Sequence, residues 1–438
     1  MLEVHRTHRA NIHNHSQVAE SLDRHGWSAS KLWNVANYHS RQVWEDTGEI
    51  PDHEELKDEL NTHPKYKGLH SQSSQRVLEE LAEAFNSWYS SDDDRDNPPG
   101  YRKENYYDDQ GRRVHEEHPR STVTWKQNGI RHDTKNNRVR LSKGANHKEH
   151  PRAWEYILVE YETRPGVTVE NLQQVRAVYD QSKERWELHL VCKDEIATPD
   201  APGTETAGID LGISNFAAVA YSTEDADLYP GNRLKQDGYY FPKEIAKCDD
   251  SGGDRAMHLH KKWSERRTHF FHSLAKHIVQ RCVEKGVGRI NVGDLEGVRE
   301  NENGGSKNWG RHGNLDLHGW AFDRFTSILE YKAKVAGIKV VAVSERDTSN
   351  TCCVCGREDE SQRVERGLYV CEECTAAFNA DVNGAENIRL NINEESNSES
   401  APSSGGDRST GWLAQPGVYL YDLTCGFQPQ AEVVDSKP

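Results

Sequence analysis

The chain is poor in bulky apolar residues. Only 34% of its 438 residues are hydrophobic, with 9 Phe and 2 Met. No run of 18 apolar residues occurs, which excludes a hydropathy-defined membrane span. The opening stretch MLEVHRTHRANIHNH has no apolar core, so no secretory signal is expected and the cytoplasm is the default address. Positive charge is also scarce: 55 Lys and Arg face 71 Asp and Glu, a formal net charge of −16. Phosphate contacts need Lys and Arg, so this balance fits a protein that binds no nucleic acid. It equally fits a halophile's salt-rich cytoplasm, where an acidic surface maintains solubility and phosphate binding falls to local basic patches and bound metal. Charge alone leaves both open. The length still provides for a sizeable core and for two to four structural units.

Along the chain the hydrophobic period changes. The first ninety residues read as helical and polar. Leu32, Val35, Ala36, Val43 and Trp44 fall near helical spacing, and Val77, Leu78, Leu81, Phe85 and Trp88 do so more clearly. A charged Pro/Gly stretch from Ser90 to Arg113 follows. From Ser121 to about Asp194 the period is two. In RWELHLVC, Trp186, Leu188, Leu190 and Cys192 line one face, which predicts a small barrel or curled sheet. ATPDAPGTET reads as a linker with a boundary near Thr206. From Ala207 to Leu390 the pattern is α/β. A strand ends in Asp210, FAAVAY returns as a second, and YYFPKEI is a candidate third. A helix over Arg255–Glu284, the strand RINVGDL, a helix over Trp320–Val335, the strand IKVVAVS and a helix in DVNGAENIRL follow. That order, βββ-α-β-α-β-α, is the order of an RNase H-like fold. The tail from Asn391 is Ser/Asn/Glu-rich and expected to be largely disordered. Its apolar piece GWLAQPGVYLYDL either docks back or stays loose.

Nine cysteines are present, four of them in two CxxC pairs: Cys352 with Cys355 and, after fifteen intervening residues, Cys371 with Cys374. This is the spacing of a zinc ribbon, since four thiolates suit tetrahedral Zn²⁺ and each CxxC forms a tight knuckle. Gly356 follows the first knuckle where a left-handed turn is wanted, and Thr375 stands at the same place after the second. A closed four-cysteine site is structural, because it leaves no open coordination position. Cys353 reads as a bystander.

Three acids fall at element ends: Asp210 after Gly208-Ile209, Asp294 closing RINVGDL, and Asp381 opening the last helix. Carboxylates converging from strand ends can hold paired Mg²⁺ for phosphodiester hydrolysis. Singly, each is more often a turn or cap residue, and Asp381 could be an N-cap.

Taken together, GIDLGISNFAAVA, then TSNTCCVCG, CEEC and NADVNGAENI, resemble the first RuvC motif, the zinc ribbon and the third RuvC motif of the TnpB (OrfB) family of transposon-encoded proteins. The match covers Ala207–Leu390. The resemblance implies a RuvC-type, RNase H-like nuclease domain with an inserted four-cysteine ribbon, preceded by a helical lobe and a β-rich wedge. The division expected is a helical recognition lobe with charged linker over 1–115 and a wedge over 116–205. The RuvC-like domain then takes 206–347 and 377–390, the ribbon 348–376 and the tail 391–438. It also implies metal-dependent cleavage of target DNA directed by an RNA from the transposon end, with a partner transposase as a further candidate partner and no membrane role. Asp210 and Asp381 match the first and third catalytic carboxylates and would hold Mg²⁺.

The second carboxylate departs from the family. The pattern there is a strand ending Glu-Asp-Leu, whereas this strand ends Gly293-Asp294-Leu295. Asp294 could serve after a one-residue shift, although side chains alternate across a strand. Glu296 or another acid could substitute, or the site could be incomplete and the protein a guided binder that does not cut.

Other features have plainer readings beside functional ones. Lys261, Lys262, Arg266 and Arg267, with His260 and His269, could grip a phosphate backbone or simply face solvent. Trp125, Tyr156, Trp186 and Tyr239 fit sheet packing better than base stacking. His5, His8, His13 and His15 read as a solvated His-rich start. Lys307, Trp309 and Arg311 lie in a Gly/Asn-rich loop that is either a lid or a plain loop.

Overall fold

The computed structural model describes residues 2–90, 97–102, 104–107, 113–117, 119–147, 155–197, 199–248, 253–294, 322–365, 367–390 and 410–430. Glu296, the Lys307/Trp309/Arg311 loop and tail residues 391–409 lie outside them. The chain forms two compact units, Glu3–Ile196 and Ala197–Pro438. Among the described residues no helix is long and apolar enough to cross a membrane.

The first unit opens not with a helix but with strand β1 (Leu2–Ile12). Helices α1 (His15–Thr47), α2 (His53–Leu60) and α3 (Ser71–Tyr89) follow. Gly48 ends α1 in the left-handed region at φ 75°, where glycine carries no Cβ penalty. A reciprocal pair starts α2: the Asp52 carboxylate accepts from the Glu54 and Glu55 amides, and Glu55 accepts from the Asp52 amide. Val77, Leu78, Leu81 and Phe85 form the buried stripe of α3.

Strands β2 (Glu104–Tyr107) and β3 (Arg113–Glu117) pair as a hairpin. The remaining strands are β4 (Val123–Lys126), β5 (Ile130–Asp133), β6 (Arg138–Ser142), β7 (Tyr156–Glu162), β8 (Leu172–Asp180) and β9 (Arg185–Ile196). They join β1 in one sheet ordered β4-β8-β9-β1-β7-β6-β5. Its two edge strands, β4 and β5, are linked by the single turn Gln127–Gly129, so the sheet is curled, in agreement with the period-two pattern. Trp186, Leu188, Leu190 and Cys192 are all buried on the inner face of β9. The helices and the strands share one hydrophobic core. The helical segment thus lies between β1 and β4 in the chain and packs into their core. Its first strand is hidden in the sequence because Glu3–Asn11 is mostly polar and only Ala10 and Ile12 at its end are buried.

The second unit is built on β10 (Glu205–Leu211), β11 (Asn215–Tyr221) and β12 (Asp225–Pro230), an antiparallel meander. Helices α4 (Asn232–Ile245) and α5 (Asp254–Glu284) lead to β13 (Val287–Asp294), which pairs parallel to β10. Then α6 (Phe322–Val335) leads to β14 (Lys339–Ser344), parallel to β13. YYFPKEI, the candidate third strand, lies within α4, and the third strand is DADLYP. Phe241 is fully buried and stacks on Trp263 of α5, so helix–helix packing overrides the β propensity of the aromatic run.

A ribbon with strands β15 (Leu368–Cys371) and β16 (Ala376–Asn379) precedes α7 (Ala380–Leu390). The tail returns as α8 (Gly411–Ala414), β17 (Gly417–Asp422) and β18 (Gly426–Pro429). Strand β17 pairs parallel to β12 and completes the order β14-β13-β10-β11-β12-β17-β18. This covers an edge that would otherwise present unpaired backbone groups. The described part of the tail is thus ordered structure: Phe427 is buried against Phe270 and Tyr229.

Each face of this sheet has its own cover. Ala207, Ile209, Ile290 and Val292 point into a core with α5 and α6. The opposite face carries α7 and the ribbon, packed on Ala218, Ala220 and Leu228.

Candidate active site and metal centre

Asp210 sits at the end of β10 on the face covered by α7. The reason is alternation: Gly208, two residues earlier, lies so close to α7 that a Cβ there would fall 2.1 Å from the Ala385 carbonyl oxygen. On α7, Asp381, Gly384, Ala385 and Ile388 recur at the three- and four-residue spacing of one helical stripe. A Cβ at Gly384 would come 2.9 Å from Asp210 Oδ2. Glycine there leaves room for the Asp210 carboxylate against the helix.

Asp381 occupies the first turn of α7, but capping falls to Asn379. The Asn379 Oδ1 accepts from the Asp381 and Val382 amides at 3.1 and 3.2 Å. Asp381 is thereby released from the cap role. Its Oδ2 accepts from Asn215 Nδ2 at 2.8 Å, and Arg363 Nη2 lies 3.5 Å from its Oδ1. Burial and the neighbouring Asp381 carboxylate push Asp210 up to about 7, opposed by Arg363. Two acids whose charges act on one another at a buried site favour either a shared proton or a cation beside them.

Strand β13 supplies the next position. Ile209 pairs with Val292, so Asp210 falls beside Gly293. Asn291, two residues before, donates to the Ile388 and Arg389 carbonyls of α7 at 3.2 and 3.0 Å. Gly293 therefore shares the Asp210 face. Asp294, the third ligand expected from the sequence, follows Ile290 and Val292 onto the opposite face, because a one-residue shift reverses side-chain direction.

The four cysteines converge. The Sγ atoms of Cys352, Cys355, Cys371 and Cys374 all lie within 4.8 Å of one another. Cys352 and Cys374 are 3.7 Å apart, and Cys355 and Cys371 are 3.6 Å apart. A tetrahedral Zn²⁺ with Zn–S bonds of about 2.3 Å sets its sulfurs about 3.8 Å apart, so the donor set and its spacing fit structural zinc. Both knuckles use the left-handed region, Gly356 at φ 75° and Thr375 at φ 49°. No sulfur-to-sulfur bond links any cysteine.

Two asparagines tie the ribbon to the helix that carries Asp381. Asn383 Oδ1 accepts from the Cys353 amide at 3.0 Å while its Nδ2 donates to the Thr351 carbonyl at 2.8 Å. Asn387 Nδ2 donates to the Thr348 and Thr351 carbonyls, both at 2.7 Å. Both side chains are fully buried. The D-x-N-x-A-x-N-I spacing is thus a device for locking the first knuckle to the helix, with Asp381 left at the end. The spacing of the two asparagines, four residues apart on one helical face, is the signal in the sequence for this role.

The basic helix is only partly available. Arg266 is committed to Asp237 of α4 at 2.8 Å and lies over the Phe241 ring. Arg267 is half-buried near Arg324, whose charge adds to burial in lowering its basicity. Lys262 is exposed and Lys261 partly so. Trp125 and Trp186 are fully buried and serve packing, whereas Tyr239 is 72% exposed.

A family model described as a probable transposase, OrfB_IS605, matches residues 178–299, and one described as the Cas12f1-like TNB domain matches residues 322–388. The chain is 25% identical over 409 residues to "TnpB-like protein ORF457" of Acidianus two-tailed virus, a match spanning 82% of this chain and 80% of that protein. It is 26% identical over 235 residues to the CRISPR-associated endodeoxyribonuclease Cas12f1 of Sulfoacidibacillus thermotolerans, covering 49% of this chain and 52% of that protein. Among solved structures, a Cas12f1–sgRNA–target DNA complex aligns over 85% of this chain and 82% of that chain, with a TM-score of 0.56 at 14% identity. That last likeness is one of fold.

Proposed function

We propose that this chain, which belongs to the TnpB-like (OrfB) proteins, is a metal-dependent DNA endonuclease of RuvC type, directed to its target by an RNA from the transposon end. The strand order β14-β13-β10-β11-β12, with β10–β12 antiparallel and β13 and β14 parallel to β10, supports an RNase H-like reading of the second unit. The observation that carries the proposal is the placing of Asp210 and Asp381 at one sheet end, where each acts on the other's charge and Asp381 is relieved of the helix cap. Gly384 makes room for the first, and Asn379 caps the helix in place of the second.

Mg²⁺ bound there supplies an activated water and a counter-charge for the leaving oxygen of a phosphodiester. Asp210 and Asp381 are the residues that would hold it. Asn215 fixes the rotamer of Asp381 through Oδ2 and leaves the Oδ1 side to Arg363. Arg363 belongs to the ribbon, so the ribbon contributes a positive charge at the edge of the site. The four-cysteine centre has no open position and holds the ribbon in shape.

The test is cleavage of a supercoiled plasmid with a randomised flank by protein co-expressed with its transposon-end RNA, with Mg²⁺ in molar KCl. Cutting that requires the RNA and a defined flank is expected, and Asp210→Ala should abolish it while RNA and DNA binding persist. Nicking by Asp210→Ala at the wild-type rate overturns the assignment. Gly293 favours a second reading, a guided repressor that binds without cutting. RNA-directed binding with no cleavage by the wild-type protein would select it.

A further inference from the structure

Glu345 lies just past β14, two residues beyond Val343, which pairs with Gly293 in the parallel ladder. Residues two apart share a face, so Glu345 returns to the face of Gly293 and Asp210. A Cβ built on Gly293 would fall 2.0 Å from Glu345 Oε1 and 2.6 Å from both its Cδ and Cγ. No side chain could stand at 293 while Glu345 keeps this position. Its carboxyl fills the volume where the family pattern places a glutamate.

A second, independent observation concerns its bonding. Glu345 Oε1 is buried and has no hydrogen-bond partner among the described residues. A buried carboxylate oxygen left without a donor is unfavourable. Burial and the like charges of Asp210 and Asp294 act against a bare carboxylate at Glu345. The arrangement is unfavourable without a cation and suited to one.

We infer that Glu345, reaching across from the neighbouring strand into the space left by Gly293, is the third carboxylate of the divalent-cation site formed by Asp210 and Asp381, a step that rests on the nuclease reading above. The acid has moved from β13 to the end of β14, and glycine at 293 is the complement that admits it. The chain therefore keeps a three-carboxylate site despite its Gly-Asp-Leu sequence. Asp294 lies at the same strand end and contributes charge, not a ligand.

The test is Mn²⁺ binding to the full-length protein, followed by electron paramagnetic resonance and by titration calorimetry, so that the readout does not depend on cleavage. Glu345→Gln keeps shape and volume and should weaken Mn²⁺ binding at least tenfold, as Asp210→Asn should, without lowering the melting temperature of the metal-free protein. Asp294→Asn should stay within about twofold of wild type. Moving the acid back, in Gly293→Glu combined with Glu345→Gly, should recover most of the affinity that Glu345→Gly alone loses. Wild-type affinity in Glu345→Gln with a loss in Asp210→Asn would overturn the inference and leave the nuclease reading standing. Wild-type affinity in both variants would overturn both.

Discussion

Asn383 accepts a hydrogen bond from the Cys353 amide and returns one to the Thr351 carbonyl, at 3.0 and 2.8 Å. A single side chain thus closes a two-way link between the zinc knuckle and the helix bearing Asp381. Truncating it leaves the buried Cys353 amide without that partner, which costs about 1–3 kcal/mol, while the Thr351 carbonyl keeps its bond from Asn387. Asn383→Ala should lower unfolding free energy by about 1–3 kcal/mol and weaken Mn²⁺ binding at the Asp210/Asp381 site. Urea denaturation of the zinc-loaded protein measures the first. A loss below about 0.5 kcal/mol, the lower end for a made hydrogen bond, would show that the link carries no weight.

Thr375 holds φ 49° at the turn after the second knuckle. A non-glycine residue in this region costs roughly 1–2 kcal/mol, and glycine costs roughly 0.5–1 kcal/mol of unfolded-state entropy. The difference favours glycine by about 0.5 kcal/mol. Thr375→Gly should therefore retain zinc about twofold more tightly against a competing chelator. Weaker retention would mean that the Thr375 side chain contributes to the ribbon in another way.

His25 is 1% exposed on α1, with Nδ1 2.7 Å from the Ser21 carbonyl oxygen. Burial holds it down to about 4, well below the ordinary histidine value. Between about pH 4 and 6.5 the unfolded chain binds a proton that the folded chain refuses, so stability rises with pH across this window and falls on acidification. The full swing is about 3 kcal/mol at most. His15, His132, His147 and His189 are lowered by burial too and act in the same direction. His25→Gln should flatten the slope of stability against pH in that window, read by tryptophan fluorescence in urea. An unchanged slope would remove His25 from the account.

Arg281 of α5 reaches Asp227 of β12 through Nε at 3.0 Å and Nη2 at 3.3 Å, and Asp227 is only 1% exposed. Tyr221 donates to the same carboxylate at 2.9 Å. Removing one partner of a buried pair strands the other charge, at a cost of about 3–5 kcal/mol. Arg281→Met should show a loss of that order, and adding Asp227→Asn should recover a large part of it. Equal destabilisation in the single and double variants would argue that packing, not charge, sets the cost.

What the sequence determined by itself was local. The two CxxC knuckles, the left-handed turns after them, the strand ending at Asp210 and the helix opening at Asp381 are each set by neighbours a few residues away, and each is found where spacing put it. The run of strands and helices from Ala207 to Leu390 was legible for the same reason, apart from YYFPKEI, where packing of Phe241 on Trp263 outweighed β propensity. Tertiary structure decided what depends on pairing between distant segments. It drew the polar strand Leu2–Ile12 into a sheet whose other strands follow three helices, and it laid the tail hairpin on the edge of β12. It also set Glu345 against Gly293. Only the parallel register of β13 and β14 sets Val343 against Gly293 and so brings Glu345 over it. Strand register is fixed by burial across the whole sheet, and no spacing within a single segment records it.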